Sequence, residues 1–200
     1  MLLDIFQRGG PVMWPLLVLS VISAAVVLER CWFLLRESTR RKPQDTERVF
    51  ACVEKGEVAE AMQSGANSRD AVAQVLHSGL AHGQESLTNA LLRASAGQLQ
   101  NYSRGLSVLD TAITLAPLLG LLGTVTGMIR AFGLMRGELD APAAITGGIA
   151  EALIATAFGL SIAIVALIPF NYLNARLETM RHELQDACTR LEILLLRRPA

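Results

Sequence analysis

TGGIAEALIATAFGLSIAIVALIPF, residues 146–170, is the stretch on which the fold turns. About 20 apolar residues in a helix cross the hydrocarbon core of a bilayer, so this run is long enough. On a wheel of 100° per residue, Gly148, Ala152, Ala155, Thr156, Gly159, Ala163 and Ala166 fall in a stripe of roughly 100°. Leu153, Leu160, Ile164 and Leu167 occupy the far side. In lipid no hydrophobic effect draws helices together, and small residues let backbones approach closely. The small face is therefore expected to meet protein and the bulky face lipid. One charged residue interrupts the run. Glu151 sits at the edge of the small stripe, about 40° from Ala155, and so faces protein or a cavity. An acid at a span centre costs about 2.5–3.5 kcal/mol on insertion scales, less near an end, and marks a functional site by default. The bland alternatives are a carboxylate that snorkels to the interface or one that pairs with Arg130.

Two further segments reach membrane length. Residues 11–28, PVMWPLLVLSVISAAVVL, continue into CWFLL, and residues 106–134 read LSVLDTAITLAPLLGLLGTVTGMIRAFGL. The first has an apolar run longer than a signal-peptide h-region and only Arg8 before it, so it reads as a retained span. The 200 residues are 52% hydrophobic and 5% aromatic, with a mean hydropathy of +0.39, which fits an aliphatic membrane protein. The formal net charge is zero, so nothing suggests a nucleic-acid partner. The expected fold is an all-α membrane protein with three transmembrane helices and long cytoplasmic helical extensions. Its parts are an interfacial segment (1–10), span one (11–35), a helical loop (36–105), span two (106–134), a short link (135–146), span three (147–172) and a helical tail (173–200).

Lys and Arg placement sets the orientation. Arg36, Arg40, Arg41 and Lys42 follow span one, Arg93 and Arg104 precede span two, and Arg176 and Arg181 follow span three. The N-terminus and the 135–146 link are therefore expected outside, and the loop and tail inside. Cys31, Cys52 and Cys188 are odd in number and unclustered, and read as free thiols. With His77, His82 and His182 they show no zinc-like spacing, so no metal or cofactor is expected.

In the loop, DTERVFACVEKGEVAEAMQSG reads as one or two short amphipathic helices, capped by Asp45 or Thr46 and punctuated by Gly56 and Gly65. RDAVAQVLHSGLAHG reads as another. ESLTNALLRASAGQLQNYSRGL looks helical right into span two. LLDIFQRGG, before Pro11, reads as a short interfacial helix ended by Gly9–Gly10. In the tail, Leu173, Leu177, Met180, Leu184, Ala187, Leu191 and Leu194 keep the 4-3 spacing of a heptad seam. Packing within the domain and packing between subunits both satisfy that pattern.

Span two carries Ala116, Gly120, Gly123 and Gly127 in one stripe, with Gly123 and Gly127 as a GxxxG pair. Beside it, Asp110, Thr114, Pro117, Leu121, Thr124 and Met128 fall in a sector of roughly 80°. Asp110 reads as a solvated interfacial acid. Pro117 and Pro169 remove helix hydrogen bonds and are expected to bend their spans. Threonines in spans often bond back to their own helix. They also donate and accept hydrogen bonds, so Thr124 and Thr156 stand out as polar positions in otherwise apolar spans.

APLLGLLGTVTGMI in span two and GGIAEALIATAFGL in span three together resemble the MotA/TolQ/ExbB proton channel family, most closely its ExbB branch. The resemblance implies a homopentamer around a pore lined by spans two and three. A dimer of a single-span ExbD/TolR-like protein would thread the pore and supply a membrane aspartate. The proton motive force would thereby drive work at a TonB-like, periplasm-spanning protein. The family's pore glutamate corresponds to Glu151, and its two pore threonines to Thr124 and Thr156. Gly120, Gly123, Gly127, Gly148 and Gly159 are the expected helix-packing positions. Arg130 departs from the pattern. The implied site is the bacterial inner membrane; a TolQ-like role in envelope maintenance or motility and a passive scaffold are the alternatives. No inverted repeat suggests a solute transporter, and no nucleophile–base pair or phosphate loop suggests an enzyme.

Overall fold

The computed structural model describes Phe6, residues 9–133 and residues 141–196. Among these residues the chain forms six helices and no strand: α1 (Met13–Arg40), α2 (Pro43–Lys55), α3 (Val58–Asn67), α4 (Ala71–Ser103), α5 (Leu106–Gly133) and α6 (Ala141–Leu196). Three stretches, Met13–Arg40, Ser86–Gly133 (the end of α4 together with α5) and Thr146–Leu196, are long and apolar enough to cross a membrane. The rest of the expected interfacial helix and residues 135–140 of the 135–146 link lie outside the described residues, and residues 141–146 of that link already belong to α6.

The chain divides into two compact units. The first comprises Met1–Arg30 and Gly105–Tyr172. Its core is Val12, Met13, Leu16, Ala116, Ala155 and Ala163, with Phe6, Leu19, Leu119, Ile154, Phe158 and Ile162 packed around them. Helix α5 buries Ala112, Ala116, Gly120, Gly123, Gly127 and Ala131, one small residue per turn. Helix α6 answers with Ala152, Ala155, Gly159 and Ala163. The fit leaves no room for added atoms. A Cβ on Gly120 would lie 3.0 Å from Thr156 Cα, and one on Gly127 2.9 Å from the Gly148 carbonyl oxygen. A Cβ on Gly159 or Gly123 would overlap Ala116 O or Ala155 Cβ. Bulky residues point away: Leu153, Ile164, Val165 and Ile168 on α6 and Leu118, Leu121 and Ile129 on α5 are exposed.

The second unit comprises Cys31–Arg104 and Leu173–Ala200. Its core joins Val49, Phe50 and Val53 of α2, Val75, Leu76 and Leu91 of α4 and the tail of α6. Leu173, Leu177, Met180, Leu184, Ala187 and Leu191 are all buried, so the heptad seam is covered by this chain's own helices. Its flanks are tied down as well. Arg190 donates to Glu47 at 2.8 Å and stacks 4.2 Å over Phe50, Arg41 pairs with Glu183, and Thr88 donates to Glu192 at 2.7 Å.

Three local expectations are corrected. Helix α2 opens at Pro43 with Lys42 as its N-cap, so neither Asp45 nor Thr46 caps it. Proline has no N–H to satisfy at a first turn. Asp45 instead accepts from Ser68 Oγ at 2.8 Å. Gly56 does end α2, with a φ of 97°. Gly65, in contrast, lies inside α3, where its missing side chain lets His77 approach. The helix before span two does not run through: α4 stops at Ser103 and the chain turns at Gly105, φ 79°. Within α4, Ser86 is non-helical, and its hydroxyl accepts from Asn89 N at 3.3 Å, restarting the helix.

A further anchor comes from Asp70, which is 3% exposed. Its carboxylate accepts from Val72 N and Ala73 N, capping α4, and from Lys42 N at 2.9 Å. One buried charge thus ties the α1–α2 corner to the start of α4, and these N–H donors offset its desolvation.

Candidate functional site

Glu151 lies about ten residues, or roughly 15 Å, into α6. Its carboxylate accepts from Arg130 Nη1 at 3.0 Å, linking the last turn of α5 to α6. The Glu151 side chain is 22% exposed and that of Arg130 52%. The chain turn before α1 closes the same spot. Gly10 has φ 72°, a conformation that favours glycine. Any Cβ there would overlap the Glu151 carboxylate. Gly9 N donates to Phe6 O at 3.3 Å, and Phe6 packs edge-on against Trp14, which fixes the turn. The acid is thus accommodated by an opposite charge on one side and bare backbone on the other.

Thr156 lies one and a half turns further along α6. Its hydroxyl is within 3.0 Å of the Gly120 carbonyl on α5 and 3.3 Å of the Ala152 carbonyl on its own helix. Because Gly120 has no side chain, its carbonyl is open to the neighbouring helix. Thr124 behaves differently. Its hydroxyl donates within α5 to Leu121 O at 2.6 Å, and the residue lines an open groove with Val125, Met128, Ile129 and Phe132. No hydrogen bond joins Glu151, Thr124 and Thr156 among the described residues. Asp110 is exposed at the start of α5. Gly120, Gly123, Gly127, Gly148 and Gly159 all lie on the α5–α6 seam.

Beyond this seam, Cys31, Cys52 and Cys188 are free thiols. Burial pushes the Cys188 thiol up from its ordinary value, although Ser95 Oγ lies 3.6 Å from its sulfur. Cys52, Glu57 and Glu60 gather at the α2–α3 corner with ligand atoms within 4.8 Å of one another. Two exposed acids and a thiol there make no closed ligand shell.

An acid paired with an arginine, threonine hydroxyls and a glycine seam thus lie together in membrane-length helices. Residues 67–186 match the sequence profile of the MotA/TolQ/ExbB proton channel family. The chain belongs to that family. Among the relatives of this MotA/TolQ/ExbB member is a putative biopolymer transport protein, ExbB-like 1, of Synechocystis, 38% identical over 86% of this chain and 70% of its own length. Biopolymer transport protein ExbB of Neisseria meningitidis serogroup A is 30% identical over 96% of both chains. The Tol-Pal system protein TolQ of Pseudomonas aeruginosa is 38% identical over 48% of this chain and 42% of its own. Family membership and three apolar helices make the protein a multi-pass membrane protein of a proton-channel family rather than of an enzyme family.

Proposed function

We propose that the chain is the channel-forming subunit of an ExbB-type energy-transducing complex in the bacterial inner membrane. In this reading the N-terminus faces the periplasm, and the loop and tail face the cytoplasm. Five copies surround a pore lined by α5 and α6, and a dimer of a single-span ExbD/TolR-like protein occupies it. Proton entry drives a rearrangement that is passed to a TonB-like protein and powers outer-membrane import. The observation that carries the reading is Glu151, the one acid in the apolar 146–170 stretch of α6, set where α5 and α6 meet.

The chemistry assigns distinct roles. The low dielectric of the span favours either a neutral carboxyl or a compensated anion, and Arg130 compensates the anion. Taking up a proton at Glu151 releases that cation, and losing the proton restores the pair. Glu151 is therefore a two-state group whose change of charge alters the contact between α5 and α6. Thr156 and Thr124 offer hydroxyls that relay a proton through ordered water. A second carboxyl is needed for acid-to-acid transfer, and the partner helix supplies it.

The test is proton uptake by proteoliposomes carrying the complex purified with its partner, read with a trapped pH dye. Glu151→Gln is expected to abolish partner-dependent uptake while the oligomer stays intact by native mass spectrometry. Full uptake in that variant removes Glu151 from the path. A stable multimer that never carries a single-span partner favours the scaffold. A TolQ-like role is the second reading, favoured by the TolQ relative. The identity of the co-purified partner separates the two.

A further inference from the structure

In the second unit, the end of α1 and the two ends of α4 border an open cavity of about 490 Å³. That is within the range of ligand sites, about 300–1,000 Å³. Three arginines line it: Arg36 and Arg40 from α1 and Arg69 from the turn before α4. Glu37 is the one acid in the lining. It accepts from the buried Tyr102 hydroxyl at 3.2 Å. Burial first, then the neighbouring Glu37, raise the Tyr102 phenol well above its ordinary value, so it remains a donor. Asp70, beside Arg69, spends its carboxylate on the backbone of Lys42, Val72 and Ala73. None of the three arginines makes an ion pair among the described residues. The cavity thus gathers three guanidinium groups, none in an ion pair, around a single carboxylate, and guanidinium groups bind phosphate oxygens in bidentate fashion.

Its depth is marked independently. Trp32 and Leu35 of α1 are 74% and 69% exposed. Tryptophan collects at the membrane–water interface. Arg36 follows Leu35 directly, one turn or about 6 Å beyond Trp32. The polar layer on each side of the hydrocarbon core is about 5–7 Å thick, so Arg36 reaches headgroup level.

We infer that the Arg36–Arg40–Arg69 cavity binds a phosphate-bearing anion, and that its depth favours the headgroup of an anionic phospholipid as the source. This site is separate from Glu151 and stands whether or not the proton-path reading holds.

The experiment is native mass spectrometry on the full chain, purified with any associated partners in a neutral detergent and titrated with phosphatidylglycerol or phosphatidylcholine. The wild type is expected to retain phosphatidylglycerol at least tenfold over phosphatidylcholine. The triple variant Arg36→Gln, Arg40→Gln, Arg69→Gln is expected to lose that preference. Arg69→Gln alone, which leaves α1 untouched, is expected to lower it several-fold with the fold intact by circular dichroism. Unchanged preference in both variants overturns the inference. A third arm measures whether inorganic pyrophosphate raises the melting temperature. Protection by pyrophosphate that depends on the three arginines, without lipid retention, upholds the phosphate site but overturns the lipid source.

Discussion

Gly147 and Gly148 are adjacent, both in α6, and the same substitution is expected to act oppositely at each. A Cβ on Gly147 meets nothing within 4 Å. A Cβ on Gly148 would lie 2.6 Å from Ala131 Cβ, 3.0 Å from Gly127 O and 3.3 Å from Ala131 Cα. Ordinary contact begins at 3.4 Å, so α5 and α6 must separate locally by about 0.8 Å (3.4 − 2.6). Neither Ala131 nor Gly127 has a rotamer with which to yield. A radial gap of 0.5–1 Å forfeits roughly a quarter to a half of the dispersion well for each contact along the opened seam. Overpacking of this kind costs about 1–3 kcal/mol. Gly148→Ala is therefore expected to destabilise by about 2 kcal/mol. Gly147→Ala is expected to be neutral or stabilising by up to about 1 kcal/mol, from helix propensity alone. The assay is reversible unfolding in mixed micelles, followed by far-ultraviolet circular dichroism and by tryptophan fluorescence. Equal stabilities for the two variants, or a Gly148→Ala protein as stable as wild type, refute the reasoning that glycine is present here for helix approach.

Other outcomes test other contacts. Arg130→Glu and Glu151→Arg are each expected to lower the melting temperature, and the charge-swapped double variant to restore it. Because Arg130 is half exposed, the coupling from this double-mutant cycle is expected to stay below about 1 kcal/mol. Asp70→Ala removes the α4 cap and the Lys42 anchor together and is expected to cost about 2 kcal/mol by chemical denaturation, with Asp70→Asn milder. For Cys188 the thiol is raised, so the thiolate fraction is small throughout the usual thiol range. Maleimide labelling of Cys188 is expected to accelerate only above that range in the folded protein, and at the ordinary thiol value in denaturant.

The membrane helices were legible because their signal is local: length, apolar content and a small-residue stripe at helical period. The tail seam was legible as a pattern, yet only the fold shows that residues 31–104 of the same chain cover Leu173 to Leu191. In the site, Glu151 stood out through the cost of burying an acid. The Arg130 pairing was one of several open alternatives, since the partner lies 21 residues away and pairing depends on how two helices face each other. The Gly10 turn over Glu151 had no sequence signal beyond a glycine pair. Thr124 and Thr156 looked equivalent, but only Thr156 faces a helix whose carbonyl is bared by glycine. Asp70 could have been found: an aspartate directly before AVAQVL is an N-cap signature. Gly65 was misleading because glycine also serves inside helices wherever a neighbour crowds the backbone.

The second unit is built from two lengths of chain, Cys31–Arg104 and Leu173–Ala200, with residues 105–172 between them. This discontinuity imposes an order on biosynthesis. At about 5–20 residues per second, the ribosome needs roughly 3–14 s to add the intervening 68 residues. Throughout that interval Val49, Val53 and Leu91 wait without the tail that covers them. The unit can close only after both later spans have been synthesised. A nascent chain arrested before Leu173 keeps an uncovered apolar face, the kind of surface that chaperones and proteases recognise. The fold thereby makes synthesis of both later spans a precondition for covering this core.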